Sequence, residues 1–129
     1  MLGPGLHGST FGGGALACRV AREFLVMLPG LLPHVREMSA YFRAGLARLA
    51  ASYDFVGGLR GRGLMVGLEL RVAGGGFVPV AQECGLLLNC TAGNVLRFLP
   101  PFVIERGHVD EAIAALDQTF RRGPSDSAA

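Results

Sequence analysis

The chain has 129 residues, half of them hydrophobic and only 17% charged. That is ample apolar material for one domain with a core, and fewer charges than the roughly one quarter common in soluble chains, so part of the apolar surface is expected to face a partner. A formal charge of +2, carried by scattered arginines without a basic run, argues against a nucleic-acid interface.

The twelve residues counted as lysine or arginine are all arginine, so this chain has no lysine amine to act as a nucleophile. Cys18, Cys84 and Cys90 form no C-x-x-C pair, which argues against a disulfide framework or a zinc site and suits a reducing compartment. His7, His34 and His108 lack metal-type spacing, so no metal is expected. The start, MLGPGLHG, lacks the features of a signal peptide. The most apolar stretch, from Phe24 to Leu32, is broken by Pro29 and Gly30 and falls far short of a membrane span. A soluble cytoplasmic protein is expected, with no membrane association.

Near the start, His7-Gly8-Ser9-Thr10-Phe11-Gly12-Gly13-Gly14 places two hydroxyls and a run of unobstructed amides just before a helix. Exposed N–H groups at a helix start can seat an oxyanion. The same residues also suit a simple cap and turn. The segment lacks the lysine of a P-loop.

Apolar residues then recur at Leu16, Val20, Phe24 and Met27 or Leu28, one face of a helix expected to stop at Pro29-Gly30. A second helix is expected from Pro33, with Val35, Met38, Phe42, Leu46 and Leu49 on one stripe.

From Phe55 to Leu70 glycines alternate with apolar residues, which predicts a hairpin turning around Arg60 to Gly63. A loop at Ala73 to Gly76, a short helix from Val78 to Cys84 ended by Gly85, and strands at Leu86–Cys90 and Val95–Leu99 follow, the last closed by Pro100-Pro101. The final helix is expected over Gly107–Arg122, with Val109, Ile113, Leu116 and Phe120 on one face, acids early and Arg121 and Arg122 late, as suits the helix dipole. The tail GPSDSAA is expected to be disordered. These elements predict a two-layer α/β (α+β) sandwich of helices on a small mixed sheet.

Arg97 lies mid-strand between apolar neighbours in NVLRFLPP, where its charge needs either an anionic partner or an open sheet face. Arg60 and Arg62 border the glycine turn and read as solvated or paired to an acid such as Glu69.

Taken together and in order, HGSTFGGGALAC, VGGLRGRGLMVGLEL and GLLLNCTAGNVLRFLPPFVI resemble the carboxy-terminal portion of class III pyridoxal-phosphate aminotransferases, above all the members that act on acetylornithine. The resemblance implies the small carboxy-terminal domain of a fold type I transferase. Residues 1–13 would be the end of the large domain with its cofactor-phosphate loop, 14–122 the small domain, and 123–129 the tail.

It further implies that Thr10 binds the phosphate of pyridoxal phosphate held by the neighbouring subunit of a homodimer, that Ser9 beside it faces the substrate, and that Arg97 pairs with the substrate α-carboxylate. The substrates would be an amino acid and a 2-oxo acid, N-acetylornithine and 2-oxoglutarate in the implied reaction. Gly14 and Ala15 stand where the family commonly has Asn-Pro, Leu6 where an acid is common, and Glu105 where Ser or Thr often caps a helix. The Schiff-base lysine has no counterpart here, so the chain alone is expected to be incompetent and to depend on a large-domain chain. The alternative is a non-enzymatic interaction module, or residual fragment, that binds an intact aminotransferase subunit.

Overall fold

The computed structural model describes residues 8–10 and 12–125, and the chain falls into two units divided after Pro33. The first helix, α1, runs from Ala15 to Ala50 with Pro29 and Pro33 inside it. The stop expected at Pro29-Gly30 is therefore not made.

Each proline removes one N–H, and the carbonyls left without a donor are those of Leu25 and Pro29, four residues back. The cost is about 3 kcal/mol per interior proline. The residues around the prolines are nevertheless good helix formers, Ala21, Arg22, Glu23 and Met27 before them and Arg36, Glu37 and Met38 after. An Arg19–Glu23 ion pair at 3.0 Å adds support one turn apart. The rule that proline ends a helix acts locally, and it is overridden here.

In the first unit Leu16, Val20, Leu25, Val26 and Met27 are exposed. In the second, α1 buries the expected stripe of Val35, Met38, Phe42, Leu46 and Leu49.

Four strands form one sheet: β1 (Val56–Arg62), β2 (Met65–Leu70), β3 (Asn89–Thr91) and β4 (Val95–Phe98), in the order β1-β2-β4-β3. All three pairings are antiparallel, so the sheet is not mixed. The reason lies in the connection. From β2 the chain crosses through α2 (Phe77–Glu83) to β3, skipping one strand position. It then reverses through Ala92-Gly93-Asn94, where Ala92 and Gly93 take φ of 52° and 78°, and β4 fills the skipped position. A parallel crossover split in this way leaves only antiparallel neighbours.

β3 is shorter than the expected Leu86–Cys90, starting three residues later and ending one residue later. β4 offers partners only to Asn89, Cys90 and Thr91, while the N–H of Leu86 donates to the Ala81 carbonyl at 2.8 Å and Leu87 is exposed. The helix α2 ends as expected, with Gly85 at φ 83° just beyond it. The last helix, α3, spans Arg106–Arg122. At its start the backbone N–H of Glu105 donates to His108 Nδ1 at 3.2 Å, a capping contact that compensates for the missing Ser or Thr.

Helices cover one face of the sheet. Leu68 and Leu96, adjacent in register, are fully buried with Leu46 of α1 and Leu116 of α3, each leucine contributing about 1.5–3 kcal/mol of burial. At one end Phe55 stacks on Phe77 with centroids 5.5 Å apart, and Phe120 meets both edge-on. The tail is seated as far as Ser125, whose N–H donates to the Gly76 carbonyl at 2.9 Å. Residues 126–129 of the expected disordered tail lie outside the described residues.

One hydrogen bond ties the fold to pH. The Tyr53 hydroxyl donates to Asp117 Oδ1 at 2.7 Å, and Arg121 Nε donates to Oδ2 at 2.8 Å. The tyrosine bond first and the arginine second hold the Asp117 carboxyl below its ordinary range. Because the folded pKa is depressed, the stabilisation is present above the unfolded value near pH 4 and fades as pH falls through the folded value. Asp117→Asn should therefore flatten the loss of stability between about pH 5 and pH 2, measured by urea unfolding. Equal slopes for the two chains would show that the carboxylate contributes nothing.

Candidate functional site

The glycine loop and Arg97 belong to different units, and each is built separately. In the first unit Ser9 and Thr10 are exposed, Gly13 takes φ of 81°, and α1 begins at Ala15. The first bond of the helix runs from the Cys18 N–H to the Gly14 carbonyl at 2.9 Å, so the amides of Ala15, Leu16 and Ala17 have no acceptor within the helix. No acid occupies the first turn.

A β-carbon at Gly8, Gly13 or Gly14 would meet nothing within 4 Å, so the backbone is open to a close approach. Two hydroxyls, free amides and the positive end of a helix dipole suit a phosphate dianion. His7 and Phe11 lie outside the described residues.

In the second unit Arg97 points outward from β4 while its neighbours Leu96 and Phe98 are buried. The open face is thus the answer to its apolar sequence context. Register sets what surrounds it: Arg60 of β1 pairs with Gly67 of β2, Gly67 with Arg97, and Arg97 with Asn89 of β3. One row across the sheet therefore reads Arg-Gly-Arg-Asn. Above it is a groove of about 320 Å³ whose lining includes Arg60, Arg62, Gly67, Val95 and Arg97.

The cations in this groove, like Arg22, Arg36 and Arg48, lack among the described residues the carboxylate partners that four other arginines have. Arg19, Arg106, Arg121 and Arg122 each pair with a carboxylate. Among the described residues, Arg60, Arg62 and Arg97 have no ion-pair or hydrogen-bond partner, so of the two expectations for Arg60 and Arg62 the solvated one is seen and the pairing with Glu69 is not. An uncompensated set of guanidinium groups over an open groove is suited to a carboxylate, which the planar fork can grip with two parallel bonds.

The alignment of Arg60 with Arg97 was not legible in the sequence. The two-residue spacing of Arg60 and Arg62 put both on one strand face, but only the pairing of β1 with β2 and of β2 with β4 brings that face to Arg97. Among the described residues no group of His, Cys, Asp and Glu could hold a metal, and no helix is long and apolar enough to cross a membrane.

Comparison with known proteins fits this geometry. A model of the family described as Aminotransferase class-III matches residues 1–120. An acetylornithine aminotransferase of Aquifex aeolicus is 51% identical over 113 residues, 88% of this chain and 29% of that protein. The one from Methanocaldococcus jannaschii is 43% identical over 118 residues, 90% of this chain and 30% of its own length. Among solved structures, the ornithine aminotransferase of Toxoplasma gondii superposes with a TM-score of 0.76 at 35% identity, covering 94% of this chain and 30% of that one. The acetylornithine aminotransferase of Elizabethkingia anophelis gives 0.77 at 29%, covering 94% and 33%. The chain spans about 30% of the length of the curated relatives it matches.

Proposed function

This chain belongs to the class-III aminotransferases, and from that premise we propose that it is the carboxy-terminal portion of an acetylornithine-type transaminase, contributing binding groups to a reaction whose amine comes from another polypeptide. Residues 1–13 then form the end of the large domain and 14–122 the small domain. Arg97 carries the reading: a guanidinium on a rigid strand, facing an open groove, with no acid of its own among the described residues. It grips the α-carboxylate of the amino-acid substrate and so orients the α-carbon.

Thr10 and the loop amides hold the phosphate of pyridoxal phosphate across a dimer interface, and Ser9 faces the substrate. When bound, that cofactor supplies the electron sink that lets a proton leave the α-carbon of an amino acid. The phosphate end of the cofactor fits the loop observed here. No lysine is available for its aldehyde end, and arginine is no substitute, since its guanidinium stays protonated and is a poor nucleophile.

A second reading, a non-catalytic module that binds an intact aminotransferase subunit, is favoured by the exposed Leu16, Val20, Leu25, Val26 and Met27 of α1.

Reconstitution separates the two. Mixed with a lysine-bearing large-domain polypeptide, the chain should complete transamination between N-acetylornithine and 2-oxoglutarate, while alone it should transfer no amino group. In the reconstituted enzyme Thr10→Ala should weaken cofactor retention by about 1–3 kcal/mol, the cost of removing a hydrogen bond to a charged group, read by equilibrium dialysis of the cofactor. Unchanged retention would reduce Thr10 to a turn residue, and transamination by the chain alone would defeat the proposal.

A further inference from the structure

The connection from β4 to α3, residues 99–105, contains one peptide unit gripped by imidazoles at both of its polar groups. The Ile104 carbonyl lies 2.8 Å from His34 Nε2 on α1, and the Glu105 N–H, the other half of the same peptide, donates to His108 Nδ1 on α3 at 3.2 Å. We infer that this peptide is a pH-sensitive seam: charging of His108 releases the first turn of α3, while the loop before it stays fastened to α1.

The two bonds make opposite demands on their rings. A carbonyl can only accept, so His34 Nε2 must carry a proton, a condition met by one neutral tautomer and by the cation alike. An amide N–H can only donate, so His108 Nδ1 must be bare. One neutral tautomer meets that condition, and the imidazolium fails it because both of its nitrogens are donors.

Packing determines which side gives way. Phe102 and Ile104 rest on the buried cluster of Val35, Met38 and Leu64, so the loop keeps apolar contacts besides its bond to His34. Glu105 and His108 are exposed. The Val109 N–H donates to the Glu105 carbonyl at 3.2 Å, which makes the first turn depend on how the capping residue is held.

Facing His108 are Glu105 and Glu111 on its own side and Cys84 across a pocket at the end of α2, with Arg122 donating to the Cys84 sulfur. Facing His34 are Glu37 and its partner Arg106. Among the described residues none of these accepts from the Glu105 N–H in place of His108.

The full chain, with its histidine ring nitrogens labelled, would be followed by NMR from pH 8 to pH 5.5, the range in which imidazoles rather than ordinary carboxylates change charge. At pH 8 His108 should carry its proton on Nε2 and leave Nδ1 bare. As the ring charges, protection of the Val109 amide against exchange, corrected for the intrinsic pH dependence, should fall about fivefold, as for the loss of one helix cap.

His108→Asn, whose side-chain oxygen can take the place of Nδ1 without titrating, should hold that protection constant over the range. His108→Ala should keep it at the lowered level throughout, and His34→Gln, which retains a donor, should leave the fall intact. A proton on His108 Nδ1 at pH 8, protection indifferent to pH in the parent chain, or a fall that survives His108→Asn or vanishes in His34→Gln would each overturn the inference.

Discussion

Replacing Gly61 with alanine should cost the second unit about 3 kcal/mol or more of folding stability, a large share of the 5–15 kcal/mol available to a small domain. Gly61 takes φ of 128°, a conformation L side chains rarely adopt. A β-carbon there would also be driven into the Met65 carbonyl and would lie 3.0 Å from Val66 Cα. Both obstacles are backbone, so no rotamer change relieves them. The hairpin itself must shift.

That shift would spread, because Leu64 in the turn is buried with Val35 and Met38 of α1, and the Gly61 carbonyl accepts a bond from Arg43 at 3.4 Å. Gly58 provides the control, since a β-carbon there meets nothing within 4 Å and alanine should change stability by roughly 0.5 kcal/mol or less. Denaturant titration of the two variants measures the difference. Equal stability would place the hairpin turn elsewhere.

Arg97→Ala should separate binding from folding more sharply. In the reconstituted enzyme it should lower kcat/KM for the amino acid by about 10²–10³, the 3–4 kcal/mol within the range for losing one partner of a paired charge. Most of the effect should appear as a raised KM, with cofactor retention nearly intact. Arg97→Lys should recover only part of the loss, because an ammonium lacks the planar fork.

Folding stability should stay within about 0.5 kcal/mol of the parent: Arg97 is exposed, and its removal strands no acid among the described residues. Unchanged kinetics, or a large loss of stability, would make Arg97 an ordinary surface residue.

The parts of the fold visible in the sequence were those written in local periodicity. Val35, Met38, Phe42, Leu46 and Leu49 read as a buried helical stripe and are buried. The glycines from Phe55 to Leu70 read as a hairpin and the β1–β2 pair forms, but its turn falls at Gly63-Leu64, later than the Arg60 to Gly63 expected, because Arg60 to Arg62 still pair with β2. Pro29 misled because its rule concerns one missing N–H, while helix continuation depends on the many residues either side.

The mixed sheet was a different kind of error. Strand order depends on where a connection lands, and nothing near Val95 to Phe98 shows that this strand enters between two earlier ones. The same blindness to register hid the alignment of Arg60 with Gly67 and Arg97. Arg97 stood out because a charge flanked by Leu96 and Phe98 is conspicuous, whereas Arg60 between Leu59 and Gly61 is not.

The insertion of β4 between β2 and β3 has one more effect. The guanidinium of Arg97 is mounted on a strand fastened along both edges, so its anchor has little room to wander. Loss of backbone freedom in aiming it has already been incurred when the chain folds, and an incoming anion need only still the outer side-chain torsions.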